Sequence, residues 1–200
     1  GVSSTSRSSH VPEPDSPLAW GSYPMVPWAG RIRSGRFTFD GTPHQLPINF
    51  ETHAIHGVGF DAAWTVRDAA PDRVSLELVM PEGVAWPFGG IARQVVSVID
   101  DTVRMELSVT AVDRAMPASI GWHPWFRKPD RVEFSPTAMY ERDEFGIPTG
   151  ALVDPTEGPW DDCFTGVTTP PLLQWPTGPI VTITSSCDHW VVYDAPVDAE

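Results

Sequence analysis

One histidine in this sequence stands in surroundings that favour a chemical role. His123 lies between Trp122 and Trp125, with Gly121 before the pair and Pro124 directly after the histidine. Glycine gives backbone freedom, proline biases the residue before it towards an extended conformation, and the indole rings can wall a pocket around an imidazole that titrates near neutral pH. The alternative is a packed strand end where His123 only hydrogen-bonds a backbone carbonyl. The local sequence leaves both interpretations open.

A second stretch, residues 30–37, places arginines between small or apolar residues in an otherwise acidic chain. On a strand, Arg31 and Arg33 would project to the same side, and a guanidinium offers several donors for hydroxyl or carboxylate oxygens. The alternative is a solvated face whose arginines pair with surface acids. This stretch is therefore a candidate binding site for an oxygen-rich ligand.

Two further histidines, His53 and His56, lie in a loop bounded by Gly57 and Gly59. Their spacing would bring two imidazoles together on a helix, but this glycine-bounded loop is not a helix, and no cysteine or third histidine nearby completes a zinc site. We therefore predict no metal and no cofactor. Because Gly57 allows the backbone and a ligand to approach closely, His56 is a candidate for hydrogen bonding or proton transfer.

Two adjacent carboxylates, Asp161 and Asp162, stand between Trp160 and Phe164. Neighbouring side chains of an extended segment point to opposite faces, so one acid can accept hydrogen bonds from a ligand while the other stays in water. The alternative is an Asx-turn or a pair of surface acids.

The elements that must position these residues are predicted to be strands. The 22 prolines and 16 glycines leave little room for long helices. Apolar residues alternate in 74–78 and 103–109, a β-branched run covers 94–99, and Asp100-Asp101 is a plausible tight turn, which together predict an antiparallel meander. The other predicted strands are 36–39, 44–48, 63–67, 131–134, 180–184 and 190–193. The predicted fold class is all-β, a large antiparallel sandwich.

Length and charge set the remaining expectations. The 200 residues suit one domain, predicted over 19–200, after a serine-rich flexible tail at 1–18. The net charge of −13 argues against nucleic acid and anionic membranes as partners. Neither a membrane span nor a secretory signal is visible, so we expect a cytoplasmic protein with Cys163 and Cys187 reduced.

Four short motifs, in this order, resemble those of the aldose 1-epimerase (galactose mutarotase) family. Residues 30–37 resemble the arginine motif of the family, and 46–57, followed by Trp64, resembles its first histidine motif. Residues 121–126 resemble the second, usually Gly-x-His-Pro-Tyr-Phe, and 161–164 resembles its aspartate motif. The resemblance implies a galactose mutarotase-like supersandwich that binds a monosaccharide such as glucose or galactose and interconverts its α and β anomers.

The resemblance also implies a role for each matched residue. His123 would be the general acid on the ring oxygen, with His56 assisting at the same oxygen, and Arg31 and Asp162 would hold sugar hydroxyls. Neutral imidazoles near their usual pKa of about 6.5 can both donate and accept protons, which suits this chemistry. Tryptophans could stack on the apolar face of the sugar.

One motif of the family is missing. The base of the family is a glutamate in a Glu-Pro pair beside a late strand, whereas the Glu-Pro of this sequence is Glu13-Pro14 and the sequence stops at Glu200. We expect the catalytic glutamate and at least one closing strand to lie beyond residue 200, and early strands to be missing as well. Without the closing strand a sheet edge would be exposed, and without the glutamate the chain would be inactive. The alternative functions are a non-catalytic carbohydrate-binding domain and a hexose-phosphate 1-epimerase.

Overall fold

The computed structural model of the protein describes residues 21–194, so the predicted tail at 1–18, Glu13-Pro14 and Glu200 lie outside the described residues. Within this range the chain divides into two compact units, residues 21–125 and residues 126–194. The single domain expected over 19–200 stays a prediction. Residues 21–194 contain no helix that could span a membrane.

The described residues are strands and loops with one 3-10 turn, Arg33–Gly35, so the all-β prediction is confirmed. The strands of the first unit are β1 (Ser22–Met25), β2 (Arg31–Ile32), β3 (Arg36–Phe39), β4 (Thr42–Gln45), β5 (Ala54–Ile55), β6 (Thr65–Ala70), β7 (Arg73–Met80), β8 (Gly90–Ile99), β9 (Thr102–Thr110) and β10 (Gly121–Pro124). Those of the second unit are β11 (Arg131–Ser135), β12 (Ala138–Arg142), β13 (Pro148–Val153), β14 (Asp161–Thr165), β15 (Thr169–Gln174), β16 (Ile180–Thr182) and β17 (His189–Tyr193).

The predicted meander is the largest sheet of the first unit, with strand order β6-β7-β8-β9. Its register places apolar residues opposite one another, as in Val74 opposite Val96 and Val96 opposite Met105. Strand β8 turns into β9 through Asp100-Asp101, as the sequence predicts, and Asp100 has the left-handed φ of 53° that suits a tight hairpin.

Strand boundaries are less well predicted than strand existence. The strand expected at 44–48 is observed as β4, and the strand expected at 63–67 is observed as β6. Pro47 explains the first difference in part, because proline has no N–H to donate to a ladder. The short strands β1 and β5 were not expected, and together with β2 and β10 they carry the site.

The hydrophobic core of the first unit fixes those short strands. Its buried members come from the segments after β1 and β4, from β5, from the end of β7, from the loop before β8 and from β8 itself: Val26, Trp28, Leu46, Ala54, Met80, Trp86, Phe88 and Ala92. Phe37 of β3 stacks on Trp86, with ring centroids 6.1 Å apart. Because Val26 and Ala54 are almost fully buried, the backbone on either side of them has little freedom.

On the opposite face of the meander, Glu77 lies between Arg67 and Arg93. The carboxylate accepts a hydrogen bond of 2.6 Å from Arg67 and one of 2.8 Å from Arg93, and the residue is only 8% exposed. These two hydrogen bonds, with that from Arg67 the stronger cause, hold the pKa of Glu77 below its usual range.

The second unit contains two antiparallel sheets, with strand orders β13-β12-β14-β17 and β11-β15-β16. Met139, Phe164 and Leu173 are its buried apolar residues. Phe164 contacts Phe134 and Trp160 edge to face, at centroid distances of 5.1 Å and 5.9 Å. Cys163 and Cys187 of this unit are free thiols.

Candidate functional site

The structure brings His56 and His123 together in the first unit. Their ring centroids are 5.1 Å apart and the rings are nearly perpendicular, with an interplanar angle of 78°. The ring of Trp125 also contacts His123, with the two ring centroids 5.1 Å apart. Two imidazoles at this distance can contact the same small ligand.

His56 is held by a reciprocal pair of hydrogen bonds with Gly30. The backbone N–H of His56 donates to the carbonyl oxygen of Gly30 at 3.1 Å, and the backbone N–H of Gly30 donates to Nδ1 of His56 at 3.2 Å. Because Nδ1 accepts, the proton of the neutral ring lies on Nε2. His56 therefore presents an N–H donor to any ligand that reaches Nε2.

The backbone around His56 is strained in a way that fits a functional loop. His56 has a φ of 59°, and Gly57 has a φ of 78°. A Cβ atom on Gly57 would lie 1.9 Å from the carbonyl oxygen of Val26, so only glycine permits this approach. The same oxygen accepts hydrogen bonds from the N–H groups of Val58 and Gly59, which ties the loop to the end of β1. Left-handed residues other than glycine are uncommon and cluster at binding and catalytic sites.

Arg31 lies beside this loop because β2 pairs with β5, with Arg31 opposite Ile55. Its guanidinium is over the ring of Phe50, 5.4 Å from the centroid. Its Nε is buried and has no hydrogen-bond partner among residues 21–194. A buried, unpaired charged donor is costly, so this atom is suited to an oxygen acceptor supplied by a ligand.

The prediction that Arg31 and Arg33 project from one strand face is wrong. Strand β2 ends at Ile32, and Arg33 begins the 3-10 turn, in which Ser34 has a φ of 49°. The turn breaks the two-residue alternation on which the prediction depended. Arg36 is also engaged elsewhere, since its Nε donates to Oε1 of Gln45 at 2.9 Å.

His53, unlike His56, has both ring nitrogens engaged by neighbouring residues of the chain. It is 2% exposed, its Nδ1 accepts a hydrogen bond of 3.0 Å from the backbone N–H of Ser34, and its Nε2 lies 3.3 Å from Oγ1 of Thr52. Both ring nitrogens are therefore engaged within the chain. His53 holds the 3-10 turn against the loop that leads to β5.

Asp162 belongs to the second unit, on β14, where Arg142 binds it. Nε of Arg142 lies 2.8 Å from Oδ1 of Asp162, and Nη1 of Arg142 lies 3.1 Å from Oδ2 of Asp161. The side chain of Asp162 is 16% exposed, against 50% for Asp161. Of the two adjacent acids, Asp162 is thus the more buried, and one of its oxygens is already oriented by a guanidinium.

Burial sets the electrostatics of the two site histidines. It lowers the pKa of His123 to about 4, with a partial offset from a hydrogen bond to its own backbone. Burial first, and then the nearby charges of His123 and Arg31, together lower the pKa of His56 to about 3. Both imidazoles are therefore neutral at pH 7 in the unliganded chain.

Two residues that build this site have no role predicted from the sequence: Tyr23 lies outside the four motifs, and Asn49 lies within the motif at 46–57 without a role of its own. Tyr23 of β1 stacks on His123, and Asn49 holds β5. Asn49 accepts a hydrogen bond of 2.7 Å from the backbone N–H of Ile55 and donates one of 3.1 Å to its carbonyl oxygen. No local pattern marks Tyr23, because Pro24 follows it and the strand has only four residues.

Replacing Asn49 by alanine is expected to destabilise the first unit by about 1–3 kcal/mol, because both backbone groups of Ile55 lose their partner directly before His56. Urea unfolding measures this change. Asn49→Asp keeps the acceptor and loses the donor, so we expect a smaller loss for it. Equal stability of Asn49→Ala and the unmodified chain would contradict the anchoring role of Asn49.

The sequence model of the family described as aldose 1-epimerase matches residues 9–187. Over 141 residues the chain is 30% identical to galactose mutarotase of Rattus norvegicus, which covers 65% of this chain and 41% of that protein. Over 121 residues it is 30% identical to the uncharacterized protein YihR of Escherichia coli strain K12, which covers 58% of this chain and 39% of that protein. The chain spans about two fifths of the length of these relatives.

A solved structure has the same fold. Galactose 1-epimerase from Lactobacillus acidophilus NCFM matches with a TM-score of 0.69 at 18% identity, over 85% of this chain and 62% of that chain. The predicted mutarotase-like β fold is thereby confirmed.

Proposed function

The chain belongs to the aldose 1-epimerase family, and from this premise we propose that it interconverts the α and β anomers of a free aldose by general acid and base catalysis. The observation that carries the proposal is the pair of half-buried, neutral imidazoles of His56 and His123, whose ring centroids lie 5.1 Å apart. The unpaired Nε of Arg31 supports it, because a sugar is rich in hydroxyl acceptors.

Anomer interconversion needs two proton movements. A base takes the proton from the anomeric hydroxyl, an acid gives a proton to the ring oxygen, the bond between C1 and that oxygen breaks, and a carbonyl forms at C1. After rotation about the C1–C2 bond, the ring closes on either face and both protons return. The catalyst must therefore deliver protons to one oxygen and take them back from it.

We assign His123 to the ring oxygen as the general acid and His56 to the same oxygen as a hydrogen-bond donor. His56 cannot act as a base while its Nδ1 accepts from Gly30, so its Nε2–H only donates. His123 is neutral in the unliganded chain and must take up a proton before it gives one. A carboxylate base beside the bound sugar would favour this uptake, because a nearby negative charge raises the pKa of an imidazole.

Arg31 is the proposed ligand of a sugar hydroxyl. Replacing it by lysine is expected to raise KM about 10- to 100-fold with a smaller change in kcat, because a charge-assisted hydrogen bond contributes about 1.5–3 kcal/mol and lysine cannot place a donor at the Nε position. The matched control is Arg36→Lys, which lies on the exposed β3–β4 hairpin and bonds Gln45. An unchanged KM for Arg31→Lys would contradict the assignment. The sugar-binding role predicted for Asp162 stays a prediction.

Polarimetry on freshly dissolved α-glucose, α-galactose and α-glucose 6-phosphate tests the proposed function, with the spontaneous rate subtracted. We expect saturable acceleration with a neutral sugar, either by the chain alone or after addition of formate, which can act as a carboxylate base. Sugar binding without acceleration under both conditions would favour the carbohydrate-binding alternative. A marked preference for the phosphorylated sugar would favour the hexose-phosphate alternative. Absence of sugar binding would overturn the proposal.

A further inference from the structure

Tyr23 lies flat against the imidazole of His123. The ring centroids are 4.5 Å apart and the planes are inclined by 20°. The two residues are direct partners in the antiparallel pairing of β1 with β10, so the backbone register places one ring on the other. Cross-strand partners on one face of a sheet are the pairs that contact most closely.

The tyrosine ring has little freedom to move. Tyr23 is 3% exposed, and its ring lies 6.0 Å from His56 on one side and 6.0 Å from Phe60 on another. Three residues later, Val26 is fully buried and its carbonyl oxygen holds the loop that carries His56. Strand β1 therefore connects the two site histidines through one rigid segment.

Three groups surround the imidazole of His123 in this unit. Tyr23 of β1 covers one face, His56 of the loop after β5 approaches edge to face, and Trp125 lies beyond β10. Among the neighbouring charged groups, Arg31 of β2 lowers the pKa of His56. Proton transfer depends on the direction of the ring nitrogens, and a flat partner fixes the plane in which they lie.

We propose that Tyr23 is a positioning residue, which fixes the plane of the His123 imidazole and excludes water from one of its faces. The phenol ring does this through its flat surface, and the hydroxyl group is not required. The proposal deepens the proposed function at the same site, but the orientation and solvation of His123 can be measured without catalysis.

NMR titration of the His123 ring tests the proposal directly. In Tyr23→Ala we expect water to reach the imidazole, so its pKa should rise from about 4 towards 6.5. Tyr23→Phe keeps the flat ring and should leave the pKa unchanged. If Tyr23→Ala does not fold, Tyr23→Leu keeps the bulk of the side chain, and the His123 ring protons should lose the upfield shift that an aromatic face at 4.5 Å produces.

Where catalysis is measurable, Tyr23→Ala and Tyr23→Leu should lower kcat by about 10²-fold with little change in KM, because misplacement of a catalytic group costs rate rather than affinity. Tyr23→Phe should retain the rate and its pH profile. An unchanged His123 pKa in Tyr23→Ala, or unchanged His123 ring shifts in Tyr23→Leu, would overturn the proposal. It would also be overturned if Tyr23→Ala or Tyr23→Leu lowered the melting temperature but left kcat and the pH profile intact. If no variant and no unmodified chain catalyses the reaction, the proposed function fails while the NMR result still decides the role of Tyr23.

Discussion

Replacing His123 by glutamine is expected to slow enzyme-catalysed anomer interconversion by about 10²- to 10⁴-fold, the usual contribution of a positioned general acid or base. Glutamine keeps a polar side chain of similar length at the end of β10, but its amide cannot carry a proton to the ring oxygen. KM should change much less than kcat, because the group acts on the reacting atoms. Polarimetry under the conditions that give saturable acceleration measures both constants.

The matched control is His44→Gln. His44 lies in the same unit, on β4, but its ring contacts are Phe37 and Phe88, at centroid distances of 5.1 Å and 4.8 Å. We expect this variant to keep its rate. His56→Gln should fall between the two, because a glutamine amide can still donate a hydrogen bond where Nε2 of His56 does. A rate for His123→Gln equal to that of the His44 control would remove His123 from the mechanism.

The second large effect is a loss of stability in mild acid. The two site histidines have folded-state pKa values of about 3 and about 4, against 6.5 in an unfolded chain. Between pH 6.5 and 4 the unfolded chain therefore binds more protons than the folded chain, so the free energy of unfolding falls as the pH falls. At 1.36 kcal/mol for each pKa unit, His123 alone accounts for roughly 3 kcal/mol of this loss.

Urea unfolding across this pH range measures the effect in the unmodified chain and in His56→Gln/His123→Gln. The double variant has no imidazole to protonate at the site, so its stability should depend less steeply on pH. Glu77 contributes a slope of the same sign, because its pKa is also lowered, but that loss begins only near 4.5, the ordinary pKa of a glutamate in an unfolded chain. The slope just below pH 6.5 therefore reports the histidines. Parallel stability curves for the two proteins would contradict the burial of neutral imidazoles.

The strand patterns show how far local sequence predicts this fold. Alternation of apolar residues in 74–78 and 103–109, with Asp100-Asp101 between β8 and β9, is enough to predict the meander, since side-chain period and turn chemistry are local properties. Strands β2 and β5 have two residues each, which is too short for any period to show. They exist because Arg31 pairs with Ile55 across the intervening hairpin.

The candidate site, like the fold, has some features that the local sequence predicts and others that it does not. The chemical types at 30–37, 46–57 and 121–126 predict that a guanidinium and two imidazoles matter, because glycine and proline beside a titratable group are visible in the chain itself. The error over Arg33 came from the same source, since alternation was assumed to continue through a turn that the sequence does not mark.

The sequence alone predicts the all-β class and the meander, and its resemblance to the family points to His123 as the candidate acid. Tertiary structure decided that Tyr23 covers this imidazole, that Gly30 fixes the tautomer of His56, that burial keeps both rings neutral, and that Arg142 orients Asp162. The physical reason is that residue type and alternation are fixed by neighbours in the chain. Stacking, tautomer and pKa depend instead on contacts between residues far apart in sequence, such as Tyr23 and His123, which only the register of the folded strands brings together.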